Sequence, residues 1–156
     1  MSSRQQITLK PIGYVRTQAK DDEVKDKTRT SEIFIMPGLN EALDGIAEYS
    51  HLYVLFWLHE ISEEKRKTLK IHPRGRTELP LVGVFAARTN LRPNPIGLTI
   101  VNLIKVEDNV LTVRGLDAFD GTPVLDIKPY DLWDIVKGVI VPKWWLKLEE
   151  EKRAKS

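Results

Sequence analysis

Two stretches of the chain combine residues that could recognise or activate a polar ligand. The first, residues 82–98, reads Val-Gly-Val-Phe-Ala-Ala-Arg-Thr-Asn-Leu-Arg-Pro-Asn-Pro-Ile-Gly-Leu. It presents Arg88, Asn90, Arg92 and Asn94 within seven residues, between two segments that read as apolar strands. Pro93 and Pro95 fix φ and push Arg92 and Asn94 toward extended backbone. A stiff loop bearing guanidinium and amide groups suits recognition of an anion or polar ligand. The alternative is a strand connection whose arginines are merely solvated, and the paired proline steps weigh against it.

The second stretch, residues 116–130, reads Leu-Asp-Ala-Phe-Asp-Gly-Thr-Pro-Val-Leu-Asp-Ile-Lys-Pro-Tyr. Asp120-Gly121 is a turn signal, and Thr122-Pro123 opens a strand. Strand alternation places Asp126 and Lys128 on one face, with Val124 on the same side and Leu125 and Ile127 opposite. Asp120 and Asp126 are then the carboxylates of this stretch that could take a direct catalytic role. Their structural alternatives are a turn-forming side chain for Asp120 and an ion pair with Lys128 or an arginine for Asp126.

A third, weaker feature is His59-Glu60, which follows the apolar run 52–58. The chain has no cysteine, only three histidines, and no His-x-x-x-His or His-Glu-x-x-His pattern. A thiolate nucleophile is excluded, and no metal centre is expected.

The elements that must position these residues are short. Strands are expected over 7–16, 32–36, 52–59, 82–87 and 123–129. Residues 96–106 and 110–114 read as a hairpin turning at Asp108-Asn109. A polar loop covers 17–30, and a short amphipathic helix covers 39–46, with Leu39, Leu43 and Ile46 on one face. Ser62 caps a helix beginning at 62–67, and 144–156 forms a helical tail. Because both faces of 52–59 are apolar, it reads as the most buried strand. Many short strands with Gly/Pro turns and few helices argue for a mostly antiparallel β fold, a barrel rather than a sandwich. No Gly-x-Gly-x-x-Gly supports a Rossmann nucleotide site. The 156 residues read as one domain.

Composition and charge bound the function. Hydrophobic residues make up 42% and charged residues 29%, which excludes collagen, coiled coil and wholesale disorder. The longest apolar run is a strand's length, so no membrane span is expected. The polar N-terminus lacks the core of a secretory signal, which gives a cytoplasmic expectation. Residues 63–92 carry eight basic side chains (Lys65, Arg66, Lys67, Lys70, Arg74, Arg76, Arg88, Arg92) against three acids, net +5. Residues 107–134 are net −5. A basic block beside an acidic one suits a protein that attracts a polyanion and does polar chemistry nearby; two solvated faces are the alternative.

The long motifs at 82–98 and 116–130 resemble the TsaA-like, or TrmO, family of S-adenosylmethionine-dependent tRNA methyltransferases. Pro-Ile-Gly-Tyr-Val-Arg at 11–16 and Tyr-Ser-His-Leu-Tyr-Val-Leu-Phe-Trp-Leu-His at 49–59 match it as well. The likeness runs from about residue 12 to 130, leaving 131–156 as a C-terminal extension. It implies a small single-sheeted β-barrel, a homodimer, and methylation of N6 of threonylcarbamoyl-adenosine beside the tRNA anticodon. It implies cofactor contacts at His59, Glu60, Arg88, Leu98, Leu116, Asp117, Ala118 and Phe119. Glu60 stands where the family commonly has Gln, and the 17–30 loop departs from a Pro-x-Gln type segment that touches the cofactor. Under this reading Leu98, Leu116 and Phe119 supply an apolar slot, and Arg88 meets the cofactor carboxylate. Arg92, Asn94, Lys128, Lys65, Arg66, Lys67, Lys70, Arg74 and Arg76 face the tRNA. Two rivals are the same barrel acting on another substrate and a non-catalytic RNA-binding or sensor protein.

Overall fold

Alternating apolar residues in short segments give strands with one dry and one wet face, and eight strands form among the described residues. The computed structural model describes residues 4–156. The strands are β1 (Gly13–Arg16), β2 (Thr30–Ile35), β3 (His51–Trp57), β4 (Lys70–Ile71), β5 (Val82–Gly83), β6 (Ile96–Glu107), β7 (Val110–Arg114) and β8 (Pro123–Pro129). The described residues also hold two α-helices, α1 (Glu63–Arg66) and α2 (Lys143–Ala154), and several 3-10 turns. The residues fall into two compact units: those up to Glu60 with Pro95–Asp131, and Ile61–Asn94 with Leu132–Ser156.

The first unit is a closed barrel in the order β1-β2-β7-β6-β3-β8, with every neighbour antiparallel. The fold class is therefore the one expected: an antiparallel barrel with short helices and a C-terminal helix. Its interior is filled by Val15, Ile33, Ile35, Leu52, Val54, Phe56, Val101, Leu111, Val113, Leu116, Ala118 and Val124. The Phe56 ring lies directly against Gly97, and a Cβ there would run into it.

Several local expectations change. β3 is not buried on both faces. Leu52, Val54 and Phe56 point inward, while Tyr53, Leu55 and Trp57 are half-buried on the outer wall, because a barrel has a single interior. In β8 the register shifts: Phe56 pairs with Val124 and Leu55 with Asp126, so Leu125 is the extra residue of a bulge. The bulge reverses the alternation. Val124 is in the core and Ile127 packs on it, so Val124 and Asp126 do not share a face. The amphipathic helix at 39–46 is instead two 3-10 turns, Asn40–Leu43 and Ile46–Glu48, separated by Gly45 at φ 86°. The first strand starts only at Gly13. The segment 82–87 is a two-residue strand followed by the 3-10 turn Val84–Ala86.

The second unit holds the β4-β5 pair and both α-helices. As expected, Ser62 caps α1, its Oγ accepting from the Lys65 amide at 3.3 Å. Leu79, Val84 and Leu148 are buried within this unit. Arg76 bridges to helix α2, its Nη1 donating to Glu151 at 2.5 Å and its Nε to Glu78 at 2.6 Å.

Candidate functional site

In an alternating antiparallel barrel, the C-terminal ends of β1, β3 and β7 and the N-terminal starts of β2, β6 and β8 share one mouth. That mouth collects the 17–29 loop, His59 and Glu60 just beyond β3, Leu98 near the start of β6, and the β7-β8 connection 115–122. All the cofactor positions expected in the first unit therefore lie at one end of the barrel.

Their side chains differ in what they can offer. Leu116 and Ala118 are 4% and 3% exposed and belong to the core. The apolar slot expected from Leu98, Leu116 and Phe119 thus loses the Leu116 side chain, since alternation along the turn sends it inward. Leu98 and Phe119 are 55% and 38% exposed and remain available. His59 and Glu60 are exposed. Asp117 is occupied: Oδ1 accepts from Thr99 Oγ1 at 2.5 Å, and Oδ2 lies 3.3 Å from Lys27 Nζ.

The two candidate bases differ too. Asp126 Oδ1 accepts from the Ile127 amide at 2.9 Å, and Oδ2 pairs with Lys128 at 3.1 Å. It sits on the outer wall in one cross-strand row with Leu55 and Leu98, two strand spacings, roughly 10 Å, from Leu98. Asp120 Oδ1 accepts from the Thr17 amide at 3.1 Å, closing the turn, and Oδ2 has no hydrogen bond among the described residues. Asp120 borders an open cleft of about 740 Å³, lined also by Arg16, Thr17, Gln18, Thr28, Arg29 and Glu32. Every one of these groups is polar. The Arg16 guanidinium is braced over the Phe34 ring, 5.2 Å from its centroid.

In the second unit, Arg88 is exposed and makes no hydrogen bond or ion pair among the described residues. Arg92 is half-buried and turns back on its own loop: Nη1 donates to Ala87 O at 3.0 Å and Thr89 O at 2.9 Å. Asn94 is exposed. In the basic block, Lys65, Lys67, Lys70 and Arg74 are exposed. Arg66 Nε donates to Pro93 O at 3.0 Å. All three guanidinium nitrogens of Arg76 donate to Glu78 or Glu151, which raises its pKa above the ordinary arginine value. Those donors are engaged by carboxylates of its own unit. The sequence reading missed Lys27 and Thr99. A hydroxyl in the inward series of β6 was the available signal for Thr99, and nothing in the sequence singled out Lys27 within its charged loop.

Among the described residues, no group of three or more His, Asp or Glu could hold a metal ion, and no helix is long and apolar enough to cross a membrane.

These loops and side chains gather at one mouth of a closed antiparallel barrel. The chain belongs to the family described as the tRNA-methyltransferase O N-terminal domain, whose model matches residues 18–133. It is 42% identical over 133 residues to the probable S-adenosyl-L-methionine-binding protein of Methanothermobacter thermautotrophicus, covering 82% of this chain and 93% of that protein. It is also 42% identical to the S-adenosyl-L-methionine-binding protein of Archaeoglobus fulgidus, over 80% of this chain and 89% of that one. The crystal structure of TrmO from Pseudomonas aeruginosa superposes with a TM-score of 0.72 at 28% identity. That match covers 92% of this chain and 64% of the crystallised one, so this chain spans just under two thirds of that protein.

Proposed function

We propose that the protein is an S-adenosylmethionine-dependent tRNA methyltransferase that modifies N6 of threonylcarbamoyl-adenosine beside the anticodon, working in the cytoplasm as a homodimer. The observation that carries this reading is the convergence of His59, Glu60, Leu98 and the 116–119 turn at one barrel mouth, in a member of the tRNA-methyltransferase O family. The donor set suits the cofactor. Exposed Leu98 and Phe119 offer apolar surface to the adenine and methionine chain, and the main chain of the turn offers polar groups. Arg88, with no ion pair of its own among the described residues, is our candidate partner for the carboxylate.

When bound, the cofactor supplies an electrophilic methyl group on a sulfonium. The protein's part is chiefly positioning, since an in-line displacement depends on alignment of its partners. The N6 proton, acidified by the neighbouring carbamoyl group, requires only a weak acceptor. Asp120 is the better candidate of the two carboxylates, because among the described residues Oδ2 is unengaged while both Asp126 oxygens have partners. Lys65, Lys67, Lys70 and Arg74 supply cations for the RNA backbone.

The curated archaeal relatives are named for cofactor binding alone, which favours, as a second reading, the same barrel acting on another acceptor. Methylation assayed on tRNA with and without threonylcarbamoyl-adenosine tests both. Methyl transfer dependent on that nucleoside supports the first reading, transfer elsewhere the second, and binding without turnover defeats both. Light scattering tests the dimer; a fully active monomer overturns it.

A further inference from the structure

We infer that Lys27, in the loop joining β1 to β2, is a positioning residue that locks the turn 115–119 in its ligand-ready shape. This rests on the reading of that turn as part of the S-adenosylmethionine site.

The loop joining β1 to β2 and the connection joining β7 to β8 meet at the barrel mouth through four contacts. Two use the connection's main chain and its turn carboxylate. The Gly115 amide donates to Arg29 O at 3.1 Å, and the Thr17 amide donates to Asp120 Oδ1 at 3.1 Å. These fix the two ends of the turn. The other two come from a single ammonium. Lys27 Nζ donates to Gly115 O at 3.1 Å and pairs with Asp117 Oδ2 at 3.3 Å.

Asp117 then passes the constraint on. Its second oxygen accepts from Thr99 Oγ1, a buried hydroxyl on the inner face of β6 one residue beyond Leu98. Lys27, Asp117 and Thr99 thus form a chain from the loop, through the turn, to the strand that carries Leu98. Gly115 makes the chain possible. Its φ of 91° turns the backbone out of β7, a conformation that favours glycine.

Exposed ion pairs add little to folding stability, and the Lys27 side chain is 58% exposed. The contact is therefore poorly explained as a contribution to the fold. Its consequence is local. Without the ammonium, Asp117 keeps only its tie to Thr99, and Gly115 O loses its side-chain donor. Leu116 and Ala118 stay anchored in the core, but the orientation of the exposed Phe119 is then less restricted. A ligand bound by that turn must restore the order itself, which lowers its affinity.

The test compares wild type, Lys27→Met and Lys27→Arg. Amide exchange in the free protein reads the clamp, and calorimetric titration with S-adenosylmethionine reads its effect. Lys27→Met is expected to speed exchange at the Gly115 and Gly121 amides, leave the melting temperature within about 2 °C, and weaken cofactor binding about fivefold. Lys27→Arg is expected to restore both readouts. Unchanged exchange in Lys27→Met overturns the clamp. Faster exchange with unchanged affinity overturns its positioning role. Wild-type protein that binds no S-adenosylmethionine overturns the functional reading and the positioning role with it, while the exchange data still decide whether the clamp exists.

Discussion

Arg92 folds back to donate from Nη1 to the carbonyl of Ala87, 3.0 Å away. The same nitrogen reaches Thr89 at 2.9 Å, so one guanidinium spans the residue between them, Arg88. Arg92 therefore acts through its neighbour, and the two arginines should fail differently. Arg88→Ala should weaken S-adenosylmethionine binding at least tenfold, the loss of a charge-assisted bond of roughly 1.5–3 kcal/mol, with little change in melting temperature. Arg92→Ala should weaken it less and also lower the melting temperature, because two half-buried carbonyls lose their donor. Calorimetry and thermal melts on both variants decide; unchanged affinity in Arg88→Ala removes that residue from the site.

The two prolines of the same segment also divide. Pro93 is exposed, and its carbonyl accepts from Arg66 Nε. Pro95 is fully buried. Pro93→Ala should act mainly through preorganisation, costing about 0.4–1 kcal/mol of stability and lowering turnover by a larger factor. Pro95→Ala removes buried ring atoms and should cost about 1.5–2 kcal/mol with activity per folded molecule preserved. Measuring turnover and melting on the same preparations separates them. Equal losses of stability with intact turnover in both would show that the segment is only a connection.

For RNA, the exposed cations are Lys65, Lys67, Lys70 and Arg74. Replacing three of them with Ala should raise the Kd for tRNA, leave cofactor affinity unchanged and flatten the log–log salt dependence by roughly one unit per lost phosphate contact. An unaltered slope would mean that these residues form only a solvated face.

The barrel was legible because its evidence is local. Alternation in 30–35 and 110–114 and the Asp108-Asn109 hairpin need only near neighbours to be read. Asp126 was misplaced by its face because the bulge at Leu125 is set by its partner strand, where Leu55 and Phe56 take successive places opposite Asp126 and Val124. Residue spacing within β8 carries no trace of that. Leu116 was assigned to a ligand slot because an apolar side chain in a motif looks the same whether it faces a cofactor or a core. The engagement of Arg76 was not legible because its partner Glu151 lies 75 positions away. Lys27 was invisible for the same reason: Gly115 is 88 positions distant.

That long-range anchor gives the last expectation. Glu151 is held below the ordinary glutamate value near 4.5 by its hydrogen bond from Arg76. Glu78 is lowered as well, first by its own backbone amide and then by Arg76. A carboxylate whose folded value is depressed binds fewer protons than in the unfolded chain. Its contribution is complete above the unfolded value near 4.5 and fades as pH falls through the lower folded value. Both carboxylates lie at the surface, so salt should weaken the effect. The attachment of α2 should therefore loosen as pH drops below about 4.5, read as falling amide protection factors along 143–154 once the intrinsic pH dependence of exchange is divided out. Glu151→Gln should show lowered protection already at neutral pH, with a much flatter dependence between pH 6 and 3.5. Protection in α2 that is high and equally pH-dependent in both proteins would show that Arg76 does not hold the helix.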